Sequence, residues 1–176
     1  MPTNARDYVR FLKQLHQVRQ FLPTPVPQAA LDDIVETARW TGTAANRQHF
    51  QLIVVRDRAA LQFLGDLGRP SGHLALAQAG IIITMSGDNE EWRIYDEGRI
   101  SERIMLAAHA HGLGAGIGWI VGDKVDAVKQ RFGIPAEDRV RTAISLGYID
   151  EAARAARPKN DQPRRPLADL VHWEHL

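Results

Sequence analysis

Apolar residues recur at helical spacing in five parts of the chain and in short strand-like runs in three others. Tyr8, Phe11, Leu12 and Leu15 predict a helix over 7–17. The prolines of FLPTPVPQ then enforce an extended segment, and Pro27 opens a second helix with Leu31, Ile34, Val35, Ala38 and, at its end, Trp40 on the inner face. A strand is expected over 51–56 and a helix over 57–67, stopped by GRPSGH. AGIIITMS, at 79–86, is a continuous apolar run of strand length and reads as a buried strand. Ile100, Ile104, Ala107, Ala108 and His111 share one face of a helix over 99–111 that Gly112 and Gly114 end. A helix over 123–132 and a strand over 141–148 follow, and then a polar, proline-containing tail. Helices and strands mix without regular alternation, so the expected class is α+β, in a single domain over 1–176.

Composition narrows the function classes. With 44% hydrophobic and 24% charged residues among 176, a packed core is expected. A formal net charge of +1 provides no global field toward nucleic acid or an anionic membrane, so neither is expected as a partner. The absence of cysteine excludes disulfides, thiolate catalysis and Cys-ligated metals, and it fits a reducing cytosol. MPTNARDYVRF has no apolar signal-peptide core, and no apolar run approaches the ~18 residues of a membrane span. The expectation is a cytoplasmic protein.

Most familiar chemistry finds no pattern here. The seven histidines lack H-x-x-x-H or H-E-x-x-H spacing and read as surface or core residues, with no metal site. No carboxylate dyad, nucleophile elbow or Walker loop occurs. GLGAGIG, at 112–118, has alternating glycines but no third glycine at dinucleotide-fingerprint spacing, and it follows a helix rather than a strand. Two readings stand: a backbone closely approached by something flat, or a flexible connection into a strand. Arg19, at the end of the first helix with His16 and Gln17, and Arg164 and Arg165 before Pro166 could hold phosphate or a developing anion; solvated surface charge is the alternative.

Four stretches, in order, resemble the FMN-dependent nitroreductase family. HQVRQFLPTPVP is similar to its N-terminal Arg-Arg-Ser-x-Arg-x-Phe signature with Pro-Val-Pro. TGTAANRQHF resembles Pro-Ser-x-x-Asn-x-Gln-Pro-Trp. DEGRISERIMLAAHAHGLGAGIGWIVG resembles the long central helix and its Gly-Leu-Gly exit, and AISLGY followed by RRPL resembles the last strand and basic tail. The resemblance implies a mixed, largely antiparallel sheet flanked by helices. It also implies an interlocked homodimer with FMN at the interface and the tail, 151–176, packed on the partner subunit.

By the same resemblance, NADH or NADPH reduces FMN, which then reduces a small electron-poor acceptor of nitroaromatic or quinone type in a ping-pong cycle. Cofactor contacts are expected from His16, Gln17, Arg19, Thr43, Ala44, Asn46, Trp119, Ile120, Val121, Gly122, Arg164 and Arg165. The 43–46 loop would reach the flavin held mainly by the other subunit. Arg19 would stand beside flavin N1 and O2, and the Gly122 amide would face N5; both give electrostatic support, and no other catalytic residue is implied. Arg164 would hold the phosphate, with Arg165 in reserve. Leu15 and Gln17 depart from the Arg and Ser usual at those positions, Gly42 and Thr43 replace Pro and Ser, and Glu102-Arg103 replaces Gln-Asn. Two alternatives stand beside the main reading: a specialised flavin-fragmenting, dehalogenating or ligase-associated enzyme, since the resembled fold hosts such members, or, given Leu15 and Gln17, a non-catalytic flavin-binding protein.

Overall fold

A computed structural model describes residues 4–158 and 162–176. The tail segment 159–161 therefore lies outside the described residues. The chain is an α+β fold around a four-stranded sheet, in the order β1 (Phe50–Val55), β2 (Ala79–Met85), β4 (Arg139–Gly147) and β3 (Gly114–Trp119), antiparallel throughout. β2 is central and buried along its whole length, as its continuous Ile run requires. On one sheet face Ile81, Ile83, Ile144 and Leu146 pack against α2 (Gln28–Arg39) and α4 (Glu90–Ala110). On the other, Ile82 and Ala143 pack with Leu61 and Leu64 of α3 (Arg58–Asp66) and Val128 of α5 (Lys124–Phe132). A short α6 (Glu151–Ala155) leads into the tail. Among the described residues, no helix is long and apolar enough to cross a membrane.

Local chemistry sets most boundaries. The Asn89 side chain accepts from the Trp92 N–H and opens α4, and Asp57 does the same for α3 through the Ala60 N–H. Gly133, at φ +65°, closes α5 in the left-handed conformation. Three expectations change. α1 (Ala5–Gln14) ends three residues early, because Leu15 turns extended and the chain leaves to pair with β3; Arg19 is thus on an extended segment and not at a helix end. α4 begins nine residues before the expected start, on a stretch whose Trp92, Ile94 and Tyr95 face outward and give no inward periodicity. Trp40 is an exposed helix cap whose indole N–H bonds Glu36, and His111 at the end of α4 is exposed beside Asp33.

Of the alternating glycines, Gly114, Gly116 and Gly118 are part of β3 itself, while Gly112 lies in the turn after α4 at φ +69°. A Cβ on Gly114 would lie 2.6 Å from Val18 Cγ1, one on Gly116 would overlap the Val18 carbonyl oxygen, and one on Gly118 would press on the Ser71 backbone. The flat group that approaches this strand is therefore the chain's own 15–19 segment and the turn at 71–76. Glycine is needed for that closeness.

Candidate functional site

The 15–19 segment is stitched along the free edge of β3. The Val18 N–H donates to Ala115 O at 2.8 Å, and the Gln17 side-chain oxygen accepts from the Ile117 N–H at 2.7 Å. The Gln17 amide nitrogen reaches Met105 Sδ of α4 at 3.9 Å. The Gln17 side chain is thus occupied in holding this segment between the sheet edge and α4. Two cavities meet at Gln17. One, about 790 Å³, is lined by Leu12, Lys13, Leu15, His16, Glu102, Met105 and Arg164. The other, about 480 Å³, is lined by Arg19, Arg69, Pro70, Ile117 and Trp119. Together they make a trough along the sheet edge, of the size that takes a cofactor.

Charge within the trough is one-sided. Arg19 and Arg69 at one end, and Lys13 and Arg164 at the other, have no ion pair or hydrogen bond among the described residues, and Glu102 is the only acid lining either cavity. Beneath the Arg19 end lies His73. Its Nε2 lies 3.2 Å from Ile117 O and its Nδ1 2.7 Å from the Ser145 hydroxyl oxygen, which is also 3.2 Å from Gly116 O. Burial, and next the positive charge of Arg19, push His73 down to about 4 from the usual 6.5, so the ring is neutral and structural.

The nitroreductase family model matches residues 12–148, a stretch that runs from the trough's first wall through the last strand. The chain belongs to the nitroreductase family. Over 152 residues it is 28% identical to a Methanothermobacter thermautotrophicus protein provisionally named NADH dehydrogenase/NAD(P)H nitroreductase, covering 82% of this chain and 78% of that one. Its fold is that of an FMN-dependent nitroreductase from Clostridium difficile, with a TM-score of 0.80 at 23% identity over 96% of this chain and 99% of the other. A Desulfovibrio desulfuricans nitroreductase solved in complex with FMN superposes with a TM-score of 0.77 at 22% identity over 99% of each chain.

Within this nitroreductase-family fold, the expected site residues separate into groups. His16, Gln17, Arg19, Trp119 and Arg164 line the trough. Arg165 does not; its guanidinium donates to Asp169 O within the tail. Ile120 keeps its side chain in the core and its N–H on Arg141 O, and it borders a cavity outside the trough. Val121 and Gly122 line an adjoining cavity of about 250 Å³ with Lys129, Arg139 and Arg141. Gly122 has φ +63°, a turn that glycine adopts without strain.

Thr43, Ala44 and Asn46 do not line the trough of their own chain. Their loop carries three non-glycine residues at positive φ: Ala45, Asn46 and Gln48. Such backbone costs of order 1 kcal/mol or more per residue and collects where a shape is needed for function. The Thr43 hydroxyl accepts from the Gln48 N–H and holds that shape, while the Asn46 amide has no partner among the described residues. Sequence reasoning missed Lys13 and Arg69. Lys13 is a polar position of α1, and Arg69 shares a cavity with Arg19 beside the turn that packs on β3.

FMN, which the family implies, fits these residues. An elongated trough with unpaired cations at both ends and a flat apolar flank of Ile117 and Trp119 matches a molecule with a phosphate at one end and a planar electron-accepting ring at the other. Leu15 packs on the core, and Lys13, His16, Gln17, Glu102 and Arg164 are the polar groups on that side.

Proposed function

We propose that this chain is an FMN-dependent oxidoreductase that takes electrons from NADH or NADPH and delivers them to a small electron-poor acceptor of nitroaromatic or quinone type. The observation that carries this reading is the trough beside β3, cationic at both ends, in a chain of this family. When bound, FMN would supply the redox chemistry, two-electron transfer from nicotinamide to acceptor in a ping-pong cycle. The chain's own task is to bind, orient and polarise. Lys13, His16 and Arg164 hold the phosphate. Arg19 places fixed positive charge at the ring end and favours the electron-rich form. Gln17 fixes the wall from which these side chains project, and Trp119 provides a flat surface. Thr43, Ala44 and Asn46 serve the site of a second copy, and Val121 and the Gly122 backbone act from the cavity beyond Trp119.

The test is direct. Purified protein incubated with FMN and gel-filtered is expected to retain flavin absorbance. Anaerobic NADH or NADPH should bleach it, and menadione should restore it. Retained flavin that neither nucleotide bleaches would identify a flavin-binding protein without this activity.

A further inference from the structure

Two cations near Trp119 have no role in that scheme. Trp119 ends β3 with its indole 51% exposed, and the Arg141 guanidinium stacks on it with Cζ 4.8 Å from the ring centroid. Arg69 lines the same cavity as Trp119. Neither Arg69 nor Arg141 has a carboxylate partner among the described residues, and no Asp or Glu lines the cavity that Arg69 shares with Trp119 or the separate one that Arg141 lines. The neighbouring cations differ. Arg139 is neutralised by Glu90 at 2.7 Å and Glu97 at 3.0 Å, and Lys129 is tied to Ala136 O. The chain has pairing available for a guanidinium here and leaves these two open.

A guanidinium stacked on an indole keeps its in-plane N–H edge free, and that edge matches a carboxylate in a two-point contact. Beside it lies exposed aromatic surface. Resting on the function proposed above, we propose that the acceptor is an anionic aromatic: a flat electron-poor ring bearing a carboxylate, the ring against Trp119 and the carboxylate in the field of Arg141, which stacks on that indole, and of Arg69, which shares its cavity.

The experiment uses two matched pairs and the FMN-loaded protein. 4-Nitrobenzoate and 4-nitrobenzamide share ring and nitro group and differ in charge; benzoate and benzamide are their non-reducible counterparts. One charge-assisted contact corresponds to about tenfold in affinity, so kcat/KM should favour 4-nitrobenzoate by about that factor and calorimetry should show benzoate binding correspondingly tighter than benzamide. Arg141→Gln and Arg69→Gln should each pull both ratios toward one, whatever they do to absolute rates. Equal ratios in the wild type would overturn the proposal. So would ratios unmoved in both variants, or variants that lose only a preference for NADPH over NADH, which would assign the cations to the donor's phosphate. Failure of the underlying oxidoreductase reading looks different: no flavin is retained and menadione is not reduced, and a benzoate preference on that flavin-free protein would still report the anion site.

Discussion

At pH 5 a histidine in water is mostly charged, whereas His73 stays neutral in the folded chain because its ring is buried and Arg19 lies nearby, with Arg157 adding a smaller push. The unfolded chain takes up a proton near pH 6.5 and the folded chain only near pH 4. The stability due to the neutral ring is therefore full above pH 6.5 and is lost as pH falls toward 4, by on the order of 3 kcal/mol. Urea unfolding between pH 7 and 4 should show this loss, and His73→Asn should flatten the slope even if it lowers stability at pH 7. Arg19→Ala tests the other half of the pair. It is expected to slow flavin reduction by NADH or NADPH about 10²-fold in stopped-flow absorbance while weakening FMN binding less; unchanged reduction with lost FMN would make Arg19 a phosphate ligand instead. The sequence singled out Arg19 and Arg164, which the structure places along the trough, through motifs with fixed neighbours. It left His73 among residues that could be surface or core, because its partners, Ser145 and Ile117, come from strands more than 40 residues away.

The 15–19 segment is the element that builds the trough, and it is where pattern reading and structure differ most. Helical spacing runs through Leu15, yet two hydrogen bonds to the edge of β3 outweigh one more turn of helix. Nothing local in the sequence records those bonds. The glycines do record them, in reverse: they are the surface on which the segment lies. Gly116→Ala would drive a methyl into the Val18 carbonyl and is expected to destabilise by about 1–3 kcal/mol, seen as a lower urea midpoint, and to weaken FMN binding by displacing Gln17 and Arg19. Leu15, lodged against the core, argues in the same direction. Leu15→Arg is expected to cost stability rather than to tighten FMN, which thermal unfolding with and without FMN would separate. Elements with strong inward periodicity, such as β2 and the second half of α4, were legible. The first half of α4 was not, since its large side chains point away from the core of its own chain.

Those outward side chains form a pattern over the whole molecule. Tyr8, Val9 and Leu12 of α1, Ile94 and Tyr95 of α4, and Leu167, Leu170, Trp173 and Leu176 of the tail are all uncovered. An isolated chain rarely leaves so much large apolar surface exposed, and the covering surface proposed for it is a second copy. Sedimentation at micromolar concentration is expected to give a dimer, with an interface on the order of 2,000 Å² or more. Replacing Leu167, Leu170 and Trp173 together by Ser should weaken it at least about tenfold, because large buried anchors dominate such interfaces. A monomer with flavin bound would exclude the shared site. The order of the sheet has one more result. β3 is a terminal strand, glycine-rich and easily approached, and the 15–19 segment occupies its outer row of hydrogen-bonding groups. That segment is expected to guard the strand against pairing with another molecule. When heat loosens it, the exposed strand becomes a template for a strand of another molecule, so clumping on warming should begin while the core is still folded.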